Sequence, residues 1–482
     1  MPTLVTDDSR AAWVRLRTTT WALCALVFLA AFESLAVTTA MPTVSLDLDG
    51  AGLYAVAFAA PLASGVVGMV VVGAWADRAG PSAPLLAAVG AFVAGLVIAG
   101  SAPTMAVLTG GRLVQGLGGG AITVVAYVVV ARLYPGDLHP RVFAGFSAAW
   151  VVPSLVGPPV AGFVTEHLHW RWVFLGVAVL VVPIALVVLR RVASVGPPEA
   201  TGAHERTAEP GPRTRTRVRV VWAAVAAVAV LVLGVGAELG GVATALAAVA
   251  GTVVALGALS RLVPTGTLRA ARGLPAVIAD RGLLAGAFFG AEVYLPYLLT
   301  RRYDIAPTLA GVTLTGAAIA WATASWVQGR LGERLPHTRA IRVGTIVALV
   351  GIAGTGVGAA MHAPVPVLVL TWATAGFGMG LTYARQTVLV LRYSARGAEG
   401  TNSSSLSVAD SVGASLSLAL TGVVFAAVEG HGGDVPYVAC FALTAVLALG
   451  AALVAPLSVP PRSSASPGPT ASPRTDASAA RT

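Results

Sequence analysis

Apolar runs of about twenty residues, each long enough to cross a bilayer, recur from Trp21 to Leu457 with polar breaks between them. That recurrence leaves few folds open. In hydrocarbon every backbone N–H and C=O must find its partner within the chain, so a spanning segment is either a helix or a strand of a closed barrel. Barrel strands alternate apolar and polar residues, and these runs do not. The chain therefore reads as an all-α polytopic membrane protein. With 56% hydrophobic and 11% charged residues and a mean hydropathy of +0.82, a soluble domain is excluded.

Fourteen spans are expected, near 19–41, 53–75, 84–102, 104–133, 143–165, 171–190, 220–236, 239–258, 282–299, 307–328, 340–360, 364–391, 403–428 and 436–457. They divide the chain into a cytoplasmic N-terminal tail (1–18), a six-span bundle (19–190) and a polar linker (191–219). A charge-free hairpin (220–258), a basic connection (259–281), a second six-span bundle (282–458) and a Ser/Pro/Ala tail (459–482) follow. The linker and tail compositions predict disorder. The first span resembles a signal peptide in length, but Glu33 at its centre and the continuing motif through Pro42 mark it as retained.

A net charge of +10 raises the question of nucleic acid; the placement of the charges excludes it. Arg171, Arg301 and Arg302 fall on one face, Arg112 and Arg385 inside the membrane, and all other basic residues on the opposite face. Such asymmetry is the positive-inside rule, and it puts both termini in the cytoplasm. All the basic residues are Arg, in an Ala-, Val- and Gly-rich chain whose composition suggests a bacterium and its inner membrane. Cys24 and Cys440 both lie in apolar spans, so no disulfide framework is expected.

The two six-span halves repeat. Gly73-Ala-Trp-Ala-Asp77-Arg78-Ala-Gly80 is matched by Gly329-Arg-Leu-Gly-Glu333-Arg334-Leu-Pro336. Gln115-Gly116-Leu-Gly118-Gly-Gly120 is matched by Ala375-Gly376-Phe-Gly378-Met-Gly380, and Glu33 by Glu292. All three offsets lie between 256 and 260 positions. Six is even, so both halves enter the membrane in the same sense, related by an axis along its normal. Most glycines inside spans serve close helix approach, which in lipid replaces hydrophobic drive.

These segments resemble the major facilitator superfamily, and within it the fourteen-helix drug:proton antiporters. The resemblance is carried by Gly73–Gly80 after the second span and by Arg112-Leu-Val-Gln115-Gly116 in the fourth. Gly157-Pro158-Pro159-Val-Ala-Gly162 in the fifth and Glu33 with Pro42 in the first complete it. Pro81-Ser82 stand where the family loop is usually basic, Pro153 and Ser154 where glycines are common, and Glu33 where Asp is usual.

Charge inside a membrane costs roughly 2.5–3.5 kcal/mol on insertion scales and marks function or pairing. Glu33 is the first proton-site candidate, able to bind a proton or a cationic substrate, and the resemblance implies that Arg112 supports proton transfer there; the alternative for the two is a permanent ion pair tethering their helices. Glu292 and Asp410 are further proton candidates, with hydration near the outer mouth as the passive reading of Glu292. Arg385 and Asp410 are expected to pair with each other. Phe32, Trp150, Tyr294 and Trp321, with Gln115 and Arg385, are candidates to line a cavity for a lipophilic cation. The resemblance implies gating at Gly73, Asp77, Arg78 and Gly80, with Glu333 and Arg334 as the weaker twin. Gly157 and Pro158 should loosen the fifth span.

No metal cluster, catalytic triad or phosphate loop is present in the sequence, so neither enzyme nor ATPase chemistry is expected and the proton gradient is the energy source. The expectation is a monomeric, proton-driven exporter of lipophilic cations. Export of a lipid or self-made natural product, and a transport-inactive sensor or scaffold on the same fold, remain open.

Overall fold

A computed structural model describes residues 7–135, 138–192, 212–331, 334–394 and 399–459. Among the described residues all regular structure is helical, and fourteen segments are long and apolar enough to cross a membrane. The first half comprises α1 (Asp7–Asp47), α2 (Tyr54–Ala79), α3 (Ser82–Gly100), α4 (Met105–Leu133), α5 (His139–His167) and α6 (Arg171–Val192). The hairpin is α7 (Pro212–Val235) and α8 (Gly241–Leu262). The second half comprises α9 (Leu274–Glu292), α10 (Tyr294–Arg302), α11 (Pro307–Leu331), α12 (His337–Ala360), α13 (Val365–Tyr393), α14 (Glu399–Val428) and α15 (Val435–Val454).

Local chemistry sets these limits. Pro stands in the first turn of α5, α9, α13 and α15, where its missing N–H costs nothing. Thr104 caps α4, its hydroxyl accepting from the Val107 N–H at 3.3 Å. Gly80 ends α2 at φ +81°, a left-handed backbone that a side chain would strain. The α9/α10 pair is one span, Leu274–Arg302, broken at Val293. Pro296 accounts for the break, since it cannot donate to the Glu292 carbonyl four residues back.

Three boundaries differ from expectation. Residues assigned to the N-terminal tail are already helical from Asp7, and residues 212–219 of the expected linker belong to α7. Most consequentially, α9 begins at Leu274, so Asp280 and Arg281 lie inside a spanning helix rather than in the basic connection. The remainder of the linker (193–211) and of the tail (460–482) lies outside the described residues.

The repeat extends to packing. In α4, a methyl on Gly116 or Gly120 would meet the α2 backbone at Pro61 and Gly65, and one on Gly118 the α3 backbone at Ala88 and Phe92. In α13, Gly376 and Gly380 meet α11 at Ala317 and Trp321, while Gly378 meets α12 at Gly344 and Ala348. Each contact in the second half lies 256 to 260 positions beyond its counterpart. Small residues thus bring backbones together where lipid supplies no hydrophobic drive. The outward faces of α6 and α8 expose Val179, Leu180, Leu186, Val242, Leu246 and Val249, the apolar surface that hydrocarbon covers.

The hairpin packs on both halves. Helix α7 contacts α2 of the first bundle and α14 of the second, and α8 lies against α7 and α14. Ala223 and Leu259 of the hairpin share a core cluster with Val66 of α2 and Val412 of α14. It therefore covers one of the seams between the bundles.

Candidate functional site

Glu33 and Arg112 form an ion pair between α1 and α4, each side chain 3% exposed. The same guanidinium nitrogen donates to Gln115 Oε1 at 2.8 Å, and Arg112 Nε donates to the Ala57 carbonyl of α2 at 3.2 Å. Three helices are thereby tied to one cation. Arginine cannot discharge, and its planar fork suits several acceptors at once. Arg112 and Gln115, three residues apart, share one face of α4. Removing one member of such a buried pair strands the other.

Glu292, the symmetry mate of Glu33, has no such partner. At 260 positions beyond Arg112 stands Trp372, whose ring stacks on Phe288 at 4.8 Å. No described residue hydrogen-bonds to the half-buried Glu292 side chain, which ends α9 at the helix break. Substitution of one cation by an aromatic ring makes the two glutamates unequal.

The expected pair of Arg385 with Asp410 does not form. Arg385 donates to Gln328 Oε1 at 2.9 Å, to the Gln328 carbonyl at 2.7 Å and to His337 Nδ1 at 3.1 Å, joining α13 to α11 and α12. Asp410 instead accepts from Arg281 Nε at 2.6 Å and from the Tyr383 hydroxyl at 2.9 Å. The physical reason is the earlier start of α9, which brings Arg281 into a spanning helix packed on α14. Pro275 in the first turn was the signal that could have revealed it. That start also takes Asp280 and Arg281 out of the expected connection, whereas Tyr383 and Gln386 lie in an expected span and carry no charge to mark them.

The aromatic candidates divide. Tyr294 is 1% exposed, in a ring cluster with Tyr54, Tyr297, Phe425 and Tyr437, and with Tyr54, Tyr297 and Phe425 it lines a small cavity between α2, α10 and α14. Trp321 is partly buried, edge-on to Phe288 and to Tyr383 at 5.0 Å. Phe32 is partly buried and lies 3.6 Å from the position a Gly157 methyl would take. Trp150 is 46% exposed and shares no ring contact with the others.

The bundles meet away from the arginine-rich face. Thr308 of α11 donates to Glu166 of α5 at 2.6 Å, Gly162 approaches the Thr308 backbone, and Gly311 approaches Pro158 and Thr39. Thr315 donates to the Leu155 carbonyl at 3.1 Å. That carbonyl has lost its helical donor, because Pro159 stands four residues on. The second half thus completes a hydrogen bond that proline breaks in the first. Nearby, the Tyr54 hydroxyl donates to the Val293 carbonyl at 2.8 Å, and Tyr54 stacks on Tyr297 at 4.4 Å.

At the opposite end, Arg78 and Arg334 are exposed, and Gly73 has only the Val124 side chain near it, at 3.5 Å from a built methyl. The Asp77 side chain and Glu333 lie outside the described residues. Arg132 donates to the Ala76 carbonyl at 2.9 Å, tying the ends of α4 and α2. Among the described residues no group of His, Cys, Asp and Glu is placed to hold a metal.

A profile of the Major Facilitator Superfamily matches residues 23–288. A probable multidrug-efflux transporter of Mycobacterium tuberculosis is 25% identical over 405 residues, covering 81% of this chain and 83% of that protein. An MFS-type transporter of the acurin A biosynthesis cluster of Aspergillus aculeatus is 36% identical over 149 residues, or 30% of this chain and 26% of that one. The chain thus spans about a quarter of the length of relatives matched over this shorter segment. Among solved structures, a bacterial homologue of the human lysosomal transporter Spinster, inward-facing and unoccupied, superposes with a TM-score of 0.65 at 15% identity, covering 91% of this chain and 96% of that one. An auto-inhibited POT family peptide transporter gives 0.64 at 17% identity, with the same coverage. These relatives are transporters, not enzymes. Fourteen apolar helices, a twofold sequence repeat that recurs in helix packing, and a family match over more than half its length place this chain in the Major Facilitator Superfamily.

Proposed function

We propose that the protein is a proton-coupled exporter of lipophilic, cationic small molecules, working by alternating access in a bacterial plasma membrane with both termini in the cytoplasm. The Glu33–Arg112 pair carries the reading: a carboxylate enclosed between α1 and α4 with one cation beside it. Protonation of Glu33 cancels one charge of the pair, and Arg112 keeps Gln115 and the Ala57 carbonyl as acceptors. A cationic substrate entering the site favours the ionised carboxylate, so substrate and proton exclude one another. The arginine-poor face is closed by Glu166–Thr308 and Thr315–Leu155, so substrate would enter from the arginine-rich side, and release would require those contacts to part. The whole chain would act as a monomer driven by the proton gradient, with no nucleotide.

Similarity to a probable multidrug-efflux transporter over 81% of the chain supports this substrate class. Export of a self-made natural product is the second reading, favoured by the local likeness to a biosynthesis-cluster transporter. Drug-susceptibility panels in an efflux-deficient host, with and without Glu33→Gln, test the proposal. Resistance to lipophilic cations that the substitution abolishes supports it, and resistance that survives the substitution refutes the role of Glu33. Substrate-induced proton release by purified protein in liposomes separates a transporter from an inactive scaffold.

A further inference from the structure

The second bundle contains a carboxylate that neither the sequence motifs nor the family relationship assigns. Asp280 is 0% exposed near the start of α9. Its Oδ2 accepts from Gln386 Nε2 at 2.7 Å, and its Oδ1 has no hydrogen-bond partner among the described residues. The orientation of Gln386 is dictated by its other neighbour. Arg281 Nη1 lies 3.2 Å from Gln386 Oε1, and a guanidinium only donates, so the amide nitrogen must face Asp280.

Arg281 is already neutralised. Its Nε donates to Asp410 at 2.6 Å, its Nη1 donates to the Tyr383 carbonyl at 3.2 Å, and its guanidinium lies 3.4 Å from the Tyr383 ring centroid. Among the described residues, the helices packed on α9 bring no second cation to Asp280: Arg339 of α12 and Arg392 of α13 are exposed. Arg342 of α12 donates to the Pro456 carbonyl, Arg385 of α13 is held by Gln328 and His337, and α15 has no charged residue. On the connected segments, Arg269 and Arg272 are exposed, and Arg301 and Arg302 lie at the far end of α10. Glu292, twelve positions along the span, adds only negative charge. One cation therefore faces two carboxylates. A buried carboxylate without a counter-charge takes up a proton rather than remain ionised. The Asp410 side chain is 25% exposed and in direct contact with the cation, whereas Asp280 is enclosed.

We propose that Asp280 is a second proton-binding site, distinct from Glu33, whose proton is released when movement of α9 against α13 and α14 hydrates Asp280 or brings Arg281 to it. On release the Asp280 O–H bond breaks, its electron pair stays on the carboxylate oxygen, and the proton passes to water. Nothing is oxidised or reduced. The Gln386 amide is the positioning group, linking Asp280 to the Arg281–Asp410 pair. The link to transport rests on the proton-coupled reading above; the protonation itself does not.

Infrared difference spectroscopy on the purified full-length chain tests it. A protonated-carboxyl band at neutral pH is expected, shifted by isotope-labelled aspartate, retained in Glu33→Gln and lost in Asp280→Asn. Where Asp280→Asn yields no folded protein, Asp280→Glu should move the band instead of abolishing it. An aspartate band unchanged by these substitutions, or no such band in the wild type, overturns the proposal. In liposomes, Asp280→Asn should lose pH-gradient-driven substrate movement while retaining substrate counterflow; wild-type coupling in that variant would also overturn it. Absence of counterflow in the wild type would count against the export reading alone, and the band would still decide the protonation.

Discussion

At the scale of single residues, one buried cation organises the first bundle. Arg112 answers to Glu33, Gln115 and a backbone carbonyl at once, so the consequence of removing Glu33 depends on what replaces it. Glu33→Gln retains an acceptor oxygen and should yield folded protein that has lost proton-coupled efflux, as measured in everted vesicles. Glu33→Ala leaves Arg112 buried without its carboxylate, and a loss of about 3–5 kcal/mol is expected from the behaviour of broken buried pairs, read as a lower melting temperature in detergent. A second test lies outside the membrane spans at Asp434, which follows the α14 end and receives Arg302 Nε at 2.7 Å and His362 Nδ1 at 3.0 Å. Burial alone would raise its carboxyl, but the bonds from Arg302 and His362 hold it below the ordinary value. A lowered folded-state value means that its stabilising contribution is present above the ordinary carboxylate range and lost as pH falls through the folded value. Asp434→Asn should therefore flatten the acid side of a melting-temperature profile and leave the neutral-to-alkaline shape unchanged. The effect will be small, because Arg302 and His362 are exposed to solvent.

At the scale of elements, proline and glycine decide where helices bend and touch. Pro159 frees the Leu155 carbonyl and Thr315 of the other half satisfies it, so a break in α5 becomes an inter-bundle contact. Thr315→Val removes that donor. The closed arrangement should weaken by about 1 kcal/mol, the usual net worth of a hydrogen bond, and distance measurements between labels on α5 and α11 should show a larger open population. Glycine acts in the reverse sense, by admitting backbone. Gly378 sits against the α12 backbone at Gly344 and Ala348, as Gly118 sits against α3. Gly378→Leu should cost more than the usual 1–3 kcal/mol of overpacking, since no side chain can move aside. Thermal stability monitored by size-exclusion chromatography would show it as lost monodisperse protein. Gly110, with nothing within 4 Å of a built methyl, should accept Ala without such loss.

At the scale of the molecule, the halves are joined both directly and through the inserted hairpin. Away from the arginines they touch directly through α5 with α11 and through Tyr54 with α10. Along the α2–α14 seam the inserted hairpin packs on both. A covalent cross-link introduced at positions 166 and 308 should hold the arginine-poor face shut and stop substrate release, with transport restored on reduction. Much of this architecture is legible in the chain. Apolar runs of spanning length can satisfy their backbones only as helices, and a motif repeated at an offset of 256 to 260 positions fixes two bundles of equal sense. Glu33 and Arg112 are legible too, because intramembrane charge is costly enough to demand a partner. The partners of Asp410 and Arg385 are not legible: helix phase and neighbour are set by packing, and a start at Leu274 instead of residue 282 moves Arg281 and Asp280 from a connection into a spanning helix. The sequence by itself determined that the chain spans the membrane as two repeated bundles and that Glu33 and Arg112 lie within it. Only the tertiary structure decided which of those charges meet, because a buried ion is satisfied by whatever group lies within hydrogen-bond reach, and that group comes from another helix.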